Sequence, residues 1–112
     1  MSDVRIDADT LQSFTRTAFV AAGLPAEDAA IEAEVLVWAN LRGVDSHGVQ
    51  RIPSYLDMIE KGWMNPTPDI RITKESPAVL FMDADRGLGP IPTVQAMRAV
   101  IEKAKNVGIG WG

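Results

Sequence analysis

The sequence predicts a mixed α/β protein: an N-terminal segment of three helices, followed by the start of a ββαβ mixed-sheet domain. Three observations predict it. Apolar residues recur at helical spacing through most of residues 7–62. They change to alternation and short apolar runs over 70–83. A long helical pattern then returns from Thr93 and gives way to an apolar segment at the end.

In residues 7–22, Leu11, Phe14, Ala18, Phe19 and Ala22 form a helical stripe with Asp7 or Asp9 as N-cap, and Gly23 is the stop. A second helix starts at Pro25, with Glu27 and Asp28 in the first turn where the helix end is positive. Ala30, Ile31, Glu34, Val35, Trp38 and Leu41 mark its course to Gly43. Asp45 or Ser46 then caps a short helix whose first turn contains His47. Pro53 kinks that helix or begins a new one, because it lacks an N–H and crowds the preceding turn. Ile52, Tyr55, Leu56 and Ile59 continue an apolar stripe to Gly62. These elements make residues 1–63 a helical segment, and 64–69 reads as a linker.

Residues 70–112 read as the start of an α/β domain. Ile70 and Ile72 alternate with Arg71 and Thr73, and Ala78–Asp83 is a short apolar run, which together suggest a hairpin. Residues 83–92 form a glycine- and proline-rich loop. Val94, Met97, Val100, Ile101 and Ala104 then lie on one face of a helix closed by Asn106 and Gly108. The last residues, Val107 to Gly112, begin a strand-like segment and stop, so the pattern reads as the front of a larger unit.

Composition narrows the functional classes. The 112 residues are 46% hydrophobic and 23% charged, as in soluble globular chains. No apolar run approaches the roughly 20 residues of a membrane span. The polar N-terminus does not resemble a signal peptide. The absence of cysteine removes thiol chemistry and disulfide scaffolds, and fits a cytoplasmic protein. Fifteen acidic against eleven basic residues give a charge of −4, which argues against a nucleic-acid partner. Glu32 and Glu34 cannot face one point, and no further ligands complete a metal site. The charged helix faces read as solvated surface.

His47 is the sole histidine, and imidazole exchanges protons near neutral pH. Arg51 lies four residues later, one helical turn away. A guanidinium can hold a carboxylate in a bidentate fork while an imidazolium donates to a carbonyl oxygen. Spacing alone does not separate this reading from one in which Asp45 and Ser46 merely cap a helix and His47 is a surface or half-buried side chain. Gly87-Leu88-Gly89 precedes a helix, yet Pro92 stands where a dinucleotide fingerprint needs its third glycine. A tight turn feeding a helix accounts for it. Trp38, Trp63 and Trp111 are scattered and read as core or interface residues.

Residues 45–62, DSHGVQRIPSYLDMIEKG, resemble the malate/L-lactate dehydrogenase family of the ureidoglycolate, sulfolactate and diketogulonate type. NLRGVDSHG, RIPSYLDMI, MNPTP, DADRGLGP, QAM and VGIGWG follow in that family's order. The resemblance implies a non-Rossmann nicotinamide-binding fold, a homodimer, and NAD or NADP as cofactor. Its implied reaction interconverts a small 2-keto acid and a 2-hydroxyacid. By the same resemblance His47 is the proton donor or acceptor, Ser46 contacts substrate or orients His47, and Arg51 anchors the carboxylate. Family members are roughly three times longer, so much of the cofactor site is expected beyond residue 112. The competing expectation is a non-catalytic structural or dimerisation module.

Overall fold

A computed structural model describes residues 3–112. Helix α1 spans Ala8–Ala21 and α2 spans Ala26–Leu41. Asp7 caps α1 by accepting from the Thr10 N–H at 3.1 Å. Two 3₁₀ turns, Asp45–His47 and Val49–Arg51, lead into α3 at Ile52–Glu60, with Pro53 in its first turn. Pro53 therefore begins a helix, where its missing N–H has no partner to lose.

The stripes read from the sequence are rotated from the faces that the fold buries. Phe19 and Thr15 are the buried residues of α1, whereas Phe14 is 64% exposed. In α2 the buried set is Ala29, Glu32, Ala33, Leu36, Val37 and Ala39, and Trp38 and Leu41 lie outside. Apolar residues cover nearly all sides of α2, so periodicity could not fix which side faces inward. Trp38, Trp63 and Trp111 are all exposed, which rules out core packing for each in this chain.

Strands β1, Arg71–Glu75, and β2, Leu80–Asp83, pair antiparallel. The register pairs Ile72 with Met82 and Lys74 with Phe81, leaving Thr73 as a bulge. Helix α4 runs Pro90–Val107, three residues earlier than the sequence suggests. Pro90 and Pro92 are the reason: their fixed φ suits a first helical turn. The chain then returns beside β2, where the Trp111 N–H donates to the Ala78 carbonyl at 2.7 Å and the Leu80 N–H donates to the Trp111 carbonyl at 2.9 Å. Val79 and Trp111 are thus bridged in parallel, on the edge of β2 opposite β1. Gly110 permits this return, because a Cβ there would lie 2.2 Å from the Val100 carbonyl oxygen.

One core joins the two regions: Phe19, Leu24, Ala29, Leu36 and Ile52 pack with Leu88, just before α4, and with Ile91 in its first turn. Residues 64–69, read as a linker, are bound down. The Asp85 carboxylate accepts from Asn65 Nδ2 at 3.0 Å and from the Asp69 N–H at 2.9 Å. Asp85 and Arg86 both take positive φ, 46° and 58°, to make this turn. Glu32 corrects the solvated reading of the charged residues. It is fully buried, both carboxylate oxygens lack a hydrogen-bond partner, and burial pushes its carboxyl up to about 7. Among the described residues, no helix is long and apolar enough to cross a membrane.

Candidate active site

The end of α2 sets the geometry. Gly43, at φ 75°, closes the helix in a Schellman turn: its N–H donates to the Asn40 carbonyl at 3.0 Å, and the Val44 N–H to the Ala39 carbonyl at 2.9 Å. This reversal folds Asp45 back onto the last turn of α2. Asn40 Nδ2 donates to Asp45 Oδ1 at 2.7 Å, and Asn40 Oδ1 accepts from the Val49 N–H at 2.9 Å. Neither Asp45 nor Ser46 caps a helix. Both lie inside a 3₁₀ turn that has no side-chain cap, because the Asp45 carboxylate faces Asn40 instead.

Nor do His47 and Arg51 share one helical face. Gly48 is extended, at φ −96° and ψ −153°, and separates the two turns. Ser46 joins them by another route. Its Oγ lies 2.9 Å from His47 Nδ1, and its carbonyl accepts from Arg51 Nε at 2.7 Å. With Nδ1 turned to Ser46, the other ring nitrogen is left for a ligand. With Nε turned inward, the Arg51 terminal nitrogens remain for an incoming anion, since no ion pair among the described residues involves Arg51. Ser46, His47 and Arg51 are all exposed, so the site is an open surface. Tyr55, half-buried on α3, lies behind it; burial and then Glu32 raise its hydroxyl pKa, and Arg51 opposes them.

Two participants were not read from the sequence, Asn40 and Gly48. A Cβ on Gly48 would sit 2.2 Å from Asn40 Oδ1, so the glycine is dictated by that amide and not by its φ. The available signal was an asparagine in the last turn of a glycine-terminated helix, just ahead of Asp45.

The first turn of α4, which follows Gly87–Gly89, offers little to a phosphate. Pro90 and Pro92 have no N–H, while Ile91 and Thr93 donate theirs to the carbonyls of Leu88 and Gly89. Among the described residues, no group of three or more His, Cys, Asp or Glu is placed to hold a metal ion. The apolar cleft between β2 and α4, lined by Phe81, Pro92, Ala96 and Trp111, does not include His47, Ser46 or Arg51.

Residues 6–112 match the family model described as malate/L-lactate dehydrogenase. The chain belongs to the malate/L-lactate dehydrogenase family. The L-sulfolactate dehydrogenase of Methanocaldococcus jannaschii is 51% identical over 88 residues, covering 79% of this chain and 26% of that protein. The NAD(+)-type ureidoglycolate dehydrogenase of Escherichia coli K12 is 34% identical over 106 residues, 95% of this chain and 30% of its own. Among solved structures, the malate dehydrogenase of Pyrococcus horikoshii superposes with a TM-score of 0.92 at 45% identity, over 96% of this chain and 31% of that one. The chain therefore spans less than a third of the length of these family members. The mixed helix-and-sheet architecture follows theirs.

Proposed function

We propose that this chain furnishes the acid–base and carboxylate-anchoring half of a 2-hydroxyacid dehydrogenase. The supporting observation is the double use of Ser46, whose hydroxyl meets His47 Nδ1 while its carbonyl holds Arg51 Nε. In the reductive direction His47, as imidazolium, gives its proton to the C2 carbonyl oxygen of a small 2-keto acid and is left neutral. Arg51 holds the substrate carboxylate with its terminal nitrogens, and Ser46 fixes the ring. Oxidation of the 2-hydroxyacid reverses the proton transfer.

A nicotinamide cofactor, NAD or NADP, supplies hydride exchange at C2 when bound, as the name of the Escherichia coli relative indicates for that protein. The first turn of α4 offers a pyrophosphate few free N–H groups, so the role proposed for this chain stops at proton and anion. The division into residues 1–63 and 70–112, a cytoplasmic location and a homodimeric assembly belong to the same proposal.

A chimera tests it. Residues 6–112 replace the matching third of the Pyrococcus horikoshii malate dehydrogenase, and NADH oxidation is followed with a panel of 2-keto acids. His47→Gln should lower kcat by about 10²–10⁴, the scale of general acid–base assistance. Arg51→Lys should mainly raise KM, because an ammonium lacks the fork. Wild-type turnover in His47→Gln would overturn the assignment.

The exposed Trp38, Trp63 and Trp111 favour a second reading, a non-catalytic dimerisation module. Size-exclusion chromatography of the 112-residue chain distinguishes it: a purely monomeric chain counts against that reading.

A further inference from the structure

We propose that Asn40 is a positioning residue for His47, its side-chain amide bridging Asp45 and the Val49 N–H across Gly48 and thereby fixing the turn that carries Ser46 and His47. The inference rests on reading His47 as the proton-transfer residue, and its physical basis is separate from that reading.

The amide is oriented by chemistry. The Val49 N–H at 2.9 Å requires an oxygen, and the Asp45 carboxylate at 2.7 Å requires a donor, so only one assignment of oxygen and nitrogen satisfies both. The bridge spans the two 3₁₀ turns and closes the segment from Asp45 to Val49 into a loop anchored at both ends on α2. Ser46 and His47 lie inside it and have no other hold on α2 among the hydrogen bonds of the described residues. Gly48 is buried against the amide with no room for a methyl group. Asparagine is the residue that fits. An aspartate would face the Asp45 carboxylate at hydrogen-bond distance, leucine would make neither bond, and alanine would leave the loop unanchored.

His47 is the only histidine, so its ring and Hβ resonances report the loop without overlap. In the 112-residue chain, a single His47 side-chain rotamer and a nuclear Overhauser contact from the ring Hε1 to Ser46 Hβ are expected. Asn40→Ala and Asn40→Asp should both average the rotamer and abolish that contact, with the helical circular dichroism kept. The exchanged pair Asn40→Asp with Asp45→Asn should restore both signals, because acceptor and donor have merely traded places. Gly48→Ala should average His47 in the native background and add nothing to Asn40→Ala. In the chimera, Asn40→Ala should lower kcat by about 10²-fold, the scale of a misplaced catalytic group.

An ordered His47 in Asn40→Ala, or no ordered His47 in the unaltered chain, overturns the proposal. Should Asn40→Ala unfold, the exchanged pair decides, and its failure to restore the signals overturns the proposal as well. A chimera without His47-dependent turnover, in a chain whose resonances behave as described, would overturn the catalytic reading and leave the positioning role standing.

Discussion

The helical region and the sheet region are built on opposite terms. Helices α1 and α2 bury Phe19, Ala29, Ala33, Leu36 and Val37 almost completely. Strand β1 is exposed at every residue, and Phe81, Ile101, Ile109 and Trp111 present apolar side chains to solvent around β2 and α4. A sheet this narrow cannot enclose a core, since each face needs a covering layer. The chain is also open for its length. Its radius of gyration is 15.8 Å where a compact domain of this length has about 13 Å. Its surface is 7498 Å² where about 6,000 Å² is usual for 12.1 kDa. The shared core is centred on α1 and α2, and the sheet region presents the larger apolar surface to solvent.

The sharpest way to break this contrast is Phe19→Ala. It removes a wholly buried ring from the helical core and should cost about 3–5 kcal/mol by urea denaturation. A cost near zero would show that the helices are not the stable half.

Next in size is Glu32, the flaw inside that core. Its unfolded-state carboxyl ionises near 4.5, while the folded chain keeps the proton until about 7. Between those values the folded state holds more protons than the unfolded one. Stability therefore falls as pH rises from about 4.5 and levels off above about 7, by on the order of 3 kcal/mol. Glu32→Leu should abolish that slope and stabilise the chain at pH 8; an unchanged slope in pH-dependent melts would assign it to other groups. Tyr55, the sole tyrosine, gives a second signal. Its absorbance titration should move down in Glu32→Gln, because the charge that raises it is gone.

A smaller effect belongs to the strap between the regions. Asp85→Ala removes acceptors from Asn65 and the Asp69 N–H and should cost about 1–3 kcal/mol, with faster hydrogen exchange at Asp69. Unaltered exchange there would mean that residues 64–69 are held by other contacts. The smallest change is Phe81→Ala on the exposed sheet face. It should alter monomer stability by less than about 0.5 kcal/mol. By sedimentation it should weaken the self-association proposed above, and a large stability loss would end the contrast.

Most of the element order was legible in the sequence, because helical and alternating periods and Gly43, Gly62 and Gly108 as stops are local signals. Whether Pro53 kinks a helix or starts one, and that residues 45–51 form two 3₁₀ turns, were not. The sequence also determined the family, since several motifs over residues 6–112 must occur in order for that match. It singled out Ser46, His47 and Arg51, and the fold does bring them together, although not by the helical turn that the spacing suggested. How they meet depends on a contact between elements. Gly48 is extended because the Asn40 amide occupies the space beside it, and that contact crosses between two elements. The burial of Glu32, the exposure of Phe14 and of the three tryptophans, and the pairing of Trp111 with Val79 were decided in the same way. Periodicity records which residues share a face, but which face is covered depends on the elements that pack against it.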